Sequence, residues 1–315
     1  RGLGDVYKRQ AISPAYAASP YSDIFVFGDS LSDPGNVFVV TGESGVRPFS
    51  ADNIPDAPYA RGGHHFSNGS TWIEQVSADL KLKGGTGPAL RTAAFTNYAF
   101  GGARARMTGV MDLSSQVGLY LSTIPGNVPS QTLYSVYVGG NDVRDATFTF
   151  FEVFASTNDP VTAQLAAEAV ITEAVQSIAD NVMRLAGRGA SHFLVPNVPD
   201  IGKTPAVQVL GPQASAVATG LSSGFNAALE ATLAGLEAGF DIQVTRLNVF
   251  QLINDVITDP TIADLVNVTE PCITPLVRKG AFCNKPDDYL FWDGIHPTRA
   301  AHAYLADAAM DALNQ

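Results

Sequence analysis

The chain has 315 residues, 46% hydrophobic and 16% charged, with 30 acidic against 19 basic side chains and a formal charge of −11 at pH 7. That length and balance suit one globular domain with a full core. No stretch approaches the roughly 20 apolar residues that a helix needs to cross a bilayer, and the negative charge argues against nucleic acid and against electrostatic docking on anionic lipid, both of which need a basic footprint.

In chain order, Asp5-Val6-Tyr7-Lys8-Arg9-Gln10 matches the translation of a transposon-end adapter used in sequencing libraries, so residues 1–10 read as non-native sequence. Residues 11–18 contain Ala15-Tyr16-Ala17, a small-residue pattern of the kind that precedes signal-peptidase cleavage. They read as the remnant of a signal peptide, with a frayed polar terminus as the alternative. Residues 19–315 follow as a single exported domain. Short β-branched and aromatic runs at 24–27, 95–98, 133–138, 193–195 and 242–247 predict strands. Between them Ile171, Val175, Ile178, Val182 and Leu185 make one apolar stripe at helical spacing, started near Asp159-Pro160 and stopped at Gly187. Further helices are predicted over 217–236 and 299–313, and the alternation gives a three-layer α/β arrangement around a parallel sheet.

The stretch 41–70 is rich in Gly and Pro, lacks apolar periodicity and reads as a long surface loop bordering a cleft. Phe148, Phe150, Phe151 and Phe154 cluster further on; they suit either an acyl-chain wall or core packing. The only cysteines, Cys272 and Cys283, share a loop-like stretch with Pro271, Pro275 and Gly280. An exported chain keeps a disulfide there; two buried free thiols are the other reading. A single pair lacks zinc-site spacing, and adjacent His64 and His65 lack the i, i+4 spacing of a helical metal pair, so no metal or cofactor is expected.

Four short segments carry the chemistry: Phe27-Gly28-Asp29-Ser30-Leu31, Asn97-Tyr98-Ala99-Phe100-Gly101-Gly102, Gly139-Gly140-Asn141-Asp142 and Asp293-Gly294-Ile295-His296. Ester hydrolysis needs a nucleophile, a base, a group that orients the base, and donors for the oxyanion. Ser30, His296 and Asp293 fit the first three roles, and the Ser30 and Gly102 N–H groups with the Asn141 amide fit the fourth. Each residue alone is an ordinary turn former or helix cap. Their joint order, with three of them just after predicted strands, is the signal, because ligand crevices form at the carboxyl ends of strands in open α/β sheets.

These segments resemble the GDSL esterase/lipase family, also called SGNH hydrolases, in which Ser30, Asn141 and His296 match three of the four named residues. Gly102 is the best match for the fourth, with Gly101 beside it as the alternative. Phe66-Ser67-Asn68-Gly69, the run from Val195 to Gly202, and Trp292 extend the resemblance to nearly the whole chain. The longer Ser-Leu-Ser-Asp form of the first segment is similar to the extracellular lipase, phospholipase and haemolysin-like branch, although Pro34 stands where that branch more often has a small polar residue. The resemblance implies a flavodoxin-like α/β/α fold with a five-stranded sheet in the order 2-1-3-4-5. It also implies a cofactor-free hydrolase for small, lipid or polymeric esters that meets a lipid surface transiently at most. Polysaccharide acetylesterase, polyester hydrolase and acyltransferase share the same site chemistry; a lipid-binding protein without turnover is the non-enzymatic alternative.

Overall fold

Strands covered by helices on both faces read as continuous β-branched and aromatic runs, and the central strands here do so. In the computed structural model, which describes residues 19–42, 64–109 and 111–315, β1 (Asp23–Gly28), β2 (Thr132–Tyr137), β3 (His192–Pro196) and β4 (Gln243–Leu247) form a parallel sheet in the order β1-β2-β3-β4. The register pairs Phe27 with Val136, Tyr134 with Phe193 and Leu194 with Thr245. Because successive side chains point to opposite faces, Phe27, Tyr134, Val136, Phe193 and Val195 enter one core, while Ile24, Val26, Leu133 and Leu194 enter the other. The readings made for residues 1–18, and for 43–63 of the long loop, lie outside the described residues.

The helices are α1 (Asn36–Thr41), α2 (Trp72–Asp79), α3 (Leu113–Ser122), α4 (Gly140–Thr157), α5 (Pro160–Ala186), α6 (Pro205–Gln208), α7 (Pro212–Gly239), α8 (Val249–Thr258) and α9 (Arg299–Leu313). α3, α4, α5 and α7 cover the first face; α2 and α9 cover the second. The helix expected after Asp159-Pro160 begins there, with the Asp159 carboxylate accepting from the Val161 N–H and Pro160 in the first turn, where its missing N–H costs nothing. α9 matches its predicted span and is capped by the Thr298 hydroxyl.

The strand expected at 95–98 is not a regular one. The segment does lie along the free edge of β1, where the Val26 N–H donates to Thr96 O at 3.0 Å and the Tyr98 N–H to Val26 O at 2.7 Å, so it occupies the outer place implied by the order 2-1-3-4-5. Its own outer edge is shared between backbone and side chains, with the Ala89 N–H donating to Asn97 O at 2.9 Å. The Asn36 amide donates to Asn97 O and Ala99 O, and the Ala99 N–H donates to the Asn97 side chain, so scattered bonds replace a regular ladder. Four regular strands and one irregular edge therefore stand in place of five strands.

Beyond β4 the chain builds a small parallel pair, β5 (Asn267–Pro271) and β6 (Tyr289–Phe291). Cys272 and Cys283 are disulfide-bonded with Cα atoms 4.8 Å apart, which rules out the free-thiol alternative. The closed loop packs Phe282 flat against Trp292, ring centroids 5.2 Å apart. Its backbone also grips the following segment, through Cys272 N–H to Phe291 O and Ile273 N–H to Trp292 O.

Candidate active site

β1 ends at Gly28, and the chain turns at once: the Ser32 N–H donates to Asp29 O and the Leu31 N–H to the Asp29 carboxylate, which leaves Ser30 at the tip. From the far end of the sequence, Asp293 closes a tight turn by accepting the N–H groups of Ile295 and His296, each at 2.8 Å. The two turns meet. His296 Nε2 lies 2.8 Å from Ser30 Oγ across 266 residues of sequence, and His296 Nδ1 lies 2.7 Å from Asp293 Oδ2. Asp293 Oδ2 can accept a proton only from Nδ1–H, a tautomer that turns the unprotonated Nε2 toward the hydroxyl.

Asn141 opens α4 directly after β2 and is buried. Its amide donates to Ala103 O at 2.9 Å, while its oxygen accepts from Arg144 Nη1 at 3.4 Å. That fixes which end of the amide is nitrogen and leaves its second N–H unused. The two glycines, of which the sequence resemblance favours Gly102, differ in the structure. The Gly101 N–H donates to the Asp33 carboxylate, and a Cβ on Gly101 would strike the Phe66 ring at 2.3 Å. Gly102 has φ +81°, a value that favours glycine, with open space around it. Among the described residues the N–H groups of Ser30 and Gly102 donate to no acceptor.

A lattice of charge fastens this side. Arg104 holds Asp145 of α4 through two bonds of 2.9 Å and also donates to Gly102 O, which ties the glycine loop to the helix carrying Asn141. Arg106 spans Asp142 and Asp145. Burial is the main cause of three raised carboxyl pKa values: Asp29 is pushed up to about 7 and Asp33 to about 6, and Asp142 also sits above the ordinary range. Backbone N–H donors oppose each shift. The Asp33 carboxylate accepts from Gly35, Asn36, Val37 and Gly101, and so shapes both the serine turn and the glycine loop.

On the base side, Phe66 packs beside the His296 ring at 5.2 Å between centroids, and the Ser67 hydroxyl donates to Pro297 O. The final part of the 41–70 stretch thus reaches the site. Sequence reading expected that stretch to border a cleft without giving Phe66 or Ser67 a specific contact, and it missed the arginine lattice. The signal for the lattice was present in the alternation of Arg104 and Arg106 and the i, i+3 spacing of Asp142 and Asp145, which puts both carboxylates on one helix face.

The phenylalanine cluster is largely core. Phe150 is buried with Phe151 and Phe154 packed against it, and only Phe148, 51% exposed, faces solvent. A separate apolar cavity of about 40 Å³ lies behind the two turns, lined by Leu31, Ile295, Pro297 and the α8 residues Leu252, Ile253 and Val256. His65 pairs with Glu74, and buried His302, its pKa lowered to about 3 by burial, accepts the Trp72 N–H; both have structural partners.

Residues 24–309 match the family model described as GDSL-like Lipase/Acylhydrolase. A protein of Vibrio parahaemolyticus named thermolabile hemolysin is 24% identical over 92% of this chain and 63% of its own length. Lipase 1 of Photorhabdus luminescens is 32% identical over 62% of this chain but only 25% of its own. This chain therefore spans less than two thirds of either protein. An Arabidopsis thaliana GDSL esterase/lipase is 26% identical over 93% of this chain and 89% of its own. Among solved structures, a lipolytic G-D-S-L family member from Veillonella parvula covers 92% of this chain with 14% identity and a TM-score of 0.44, over 96% of its own chain.

Proposed function

The chain belongs to the GDSL-like lipase/acylhydrolase family, and from that premise we propose that it is an exported serine hydrolase that cleaves carboxylic esters through an acyl-enzyme on Ser30. The observation that carries this reading is the continuous line from Asp293 Oδ2 through the imidazole of His296 to Ser30 Oγ, with contacts of 2.7 and 2.8 Å.

In the first half-reaction Ser30 Oγ attacks the ester carbonyl carbon while its proton passes to His296 Nε2. The tetrahedral oxyanion is met by the N–H groups of Ser30 and Gly102 and by the free N–H of the Asn141 amide. As the C–O bond breaks, His296 returns the proton to the departing alcohol. Water then enters, gives its proton to the same nitrogen and attacks the acyl carbon, and Ser30 leaves as the restored hydroxyl. Asp293 stays ionised and stabilises the transient imidazolium. Lipid acyl esters are the leading substrates, in keeping with relatives named as a lipase and a hemolysin. Phe148 is the member of the phenylalanine group exposed enough to meet an acyl chain. The disulfide at Cys272–Cys283 supports an oxidising destination.

Ser30→Ala is expected to lower turnover of a short p-nitrophenyl ester by about 10⁴-fold or more. Wild-type turnover in that variant would remove the nucleophile assignment.

A further inference from the structure

Three arginines crowd the Asn141 side of the site, and two of them are neutralised. Arg104 is paired with Asp145, and Arg106 with Asp142 and Asp145. Arg144 is the exception. It lies on α4 one turn after Asn141, and among the described residues no carboxylate comes within 4.0 Å of its guanidinium. Among the described residues its one hydrogen bond is the 3.4 Å contact from Nη1 to Asn141 Oδ1, so most of its five N–H donors have no acceptor there.

Burial pulls the Arg144 pKa below its ordinary value, which marks desolvation as the dominant influence on it, and the attraction of Asp145 and Asp293 offsets that only in part. Arg144 is half-buried, so its N–H groups outside the Asn141 contact are partly shielded from water and still open to an incoming anion. With 30 acidic side chains the protein has carboxylates in excess, yet among the described residues Asp145 and Asp293 act on Arg144 only from beyond ion-pair distance. The cation also touches the very amide proposed to receive the oxyanion, so an anion paired with it would lie on the Asn141 side of the site.

We propose that Arg144 is the anion-recognition element of this site: it binds a phosphate or carboxylate borne by the substrate close to the ester, and thereby makes anionic esters preferred over neutral ones of the same size. The inference rests on the ester-hydrolase reading above and adds to it the charge of the substrate. Arginine suits the task because its planar fork meets either oxyanion with two parallel bonds.

The test uses matched ester pairs. p-Nitrophenyl hemiglutarate against p-nitrophenyl valerate places a carboxylate on the acyl side; lysophosphatidic acid against monoacylglycerol places a phosphate on the alcohol side. kcat/KM is measured for wild type, Arg144→Lys and Arg144→Met. Wild type is expected to favour at least one anionic member by about ten-fold or more, Arg144→Met to bring that ratio to about one mainly through KM, and Arg144→Lys to keep part of it. The pair that responds identifies carboxylate or phosphate. Without any variant, glutarate or glycerol 3-phosphate should inhibit neutral-ester hydrolysis competitively. No anionic preference in wild type would overturn the proposal. Equal loss of kcat on both members of a pair in Arg144→Met would do so too, leaving Arg144 as a residue that merely orients Asn141. Absence of turnover on every ester would instead sink the hydrolase reading itself.

Discussion

The two turns that meet at Ser30 and His296 are anchored by different physics. The serine turn, the glycine loop and Asn141 grow directly from the central sheet and are fixed by buried carboxylates: Asp29, Asp33 and Asp142 bind backbone N–H groups, and Asp142 and Asp145 bind arginines. The Asp293–His296 turn lies outside that sheet. It rests on a strand of three residues, on Phe66 and Ser67, and on a loop closed by a disulfide. The first half is therefore exposed to pH, and the second to reduction. A site assembled this way has two separate routes to failure.

The larger effect is expected on the base side. Opening the Cys272–Cys283 loop by Cys272→Ser with Cys283→Ser removes roughly 3 kcal/mol of stability if the unfolded-chain account of disulfides holds. Because the loop backs Trp292 and the Asp293 turn, ester turnover should fall at temperatures where far-UV circular dichroism still reports a folded sheet. Activity and circular dichroism lost together at one temperature would show that the turn is not separately dependent on the staple.

A smaller effect is expected on the serine side. The folded pKa of Asp29, about 7, lies above that of an unfolded aspartate, so the unfolded chain gives up this proton first. The stability associated with the protonated group is full below pH of about 4 and declines as pH rises through about 7. Asp29→Asn keeps the acceptor for the Leu31 N–H and removes the ionisation. Its melting temperature relative to wild type should accordingly rise between pH 5 and pH 7.5. A difference that shrinks over that interval would contradict the burial argument.

The same contrast governs what the sequence made legible. Apolar runs bounded by turn residues marked β1 to β4, and an uninterrupted stripe with a cap at each end marked α5, because those signals are local. The four segments that build the candidate site stood out in the sequence because each has a distinct set of residue types and they follow one another in a set order. The physical difference between Gly101 and Gly102 did not, since residue identity does not encode φ or the Phe66 ring that forbids a side chain at Gly101. The edge beside β1 carries scattered bonds in place of a regular ladder, among them the Asn36 amide contact made across 61 residues. Phe150 and Phe151 suited both a lipid wall and a core, and only the packing of α4 placed them in the core. The unpaired state of Arg144 was equally invisible, because it depends on which carboxylates its neighbours have already taken.

The central claim, that Ser30 is a nucleophile activated by His296, is tested most directly by mass spectrometry after exposure to a p-nitrophenyl alkylphosphonate, which transfers its phosphonyl group to an activated serine with loss of p-nitrophenol. The account predicts one adduct per chain, on the peptide containing Ser30, and its near-disappearance in His296→Ala. An adduct elsewhere, or labelling of Ser30 that does not depend on His296, would contradict it.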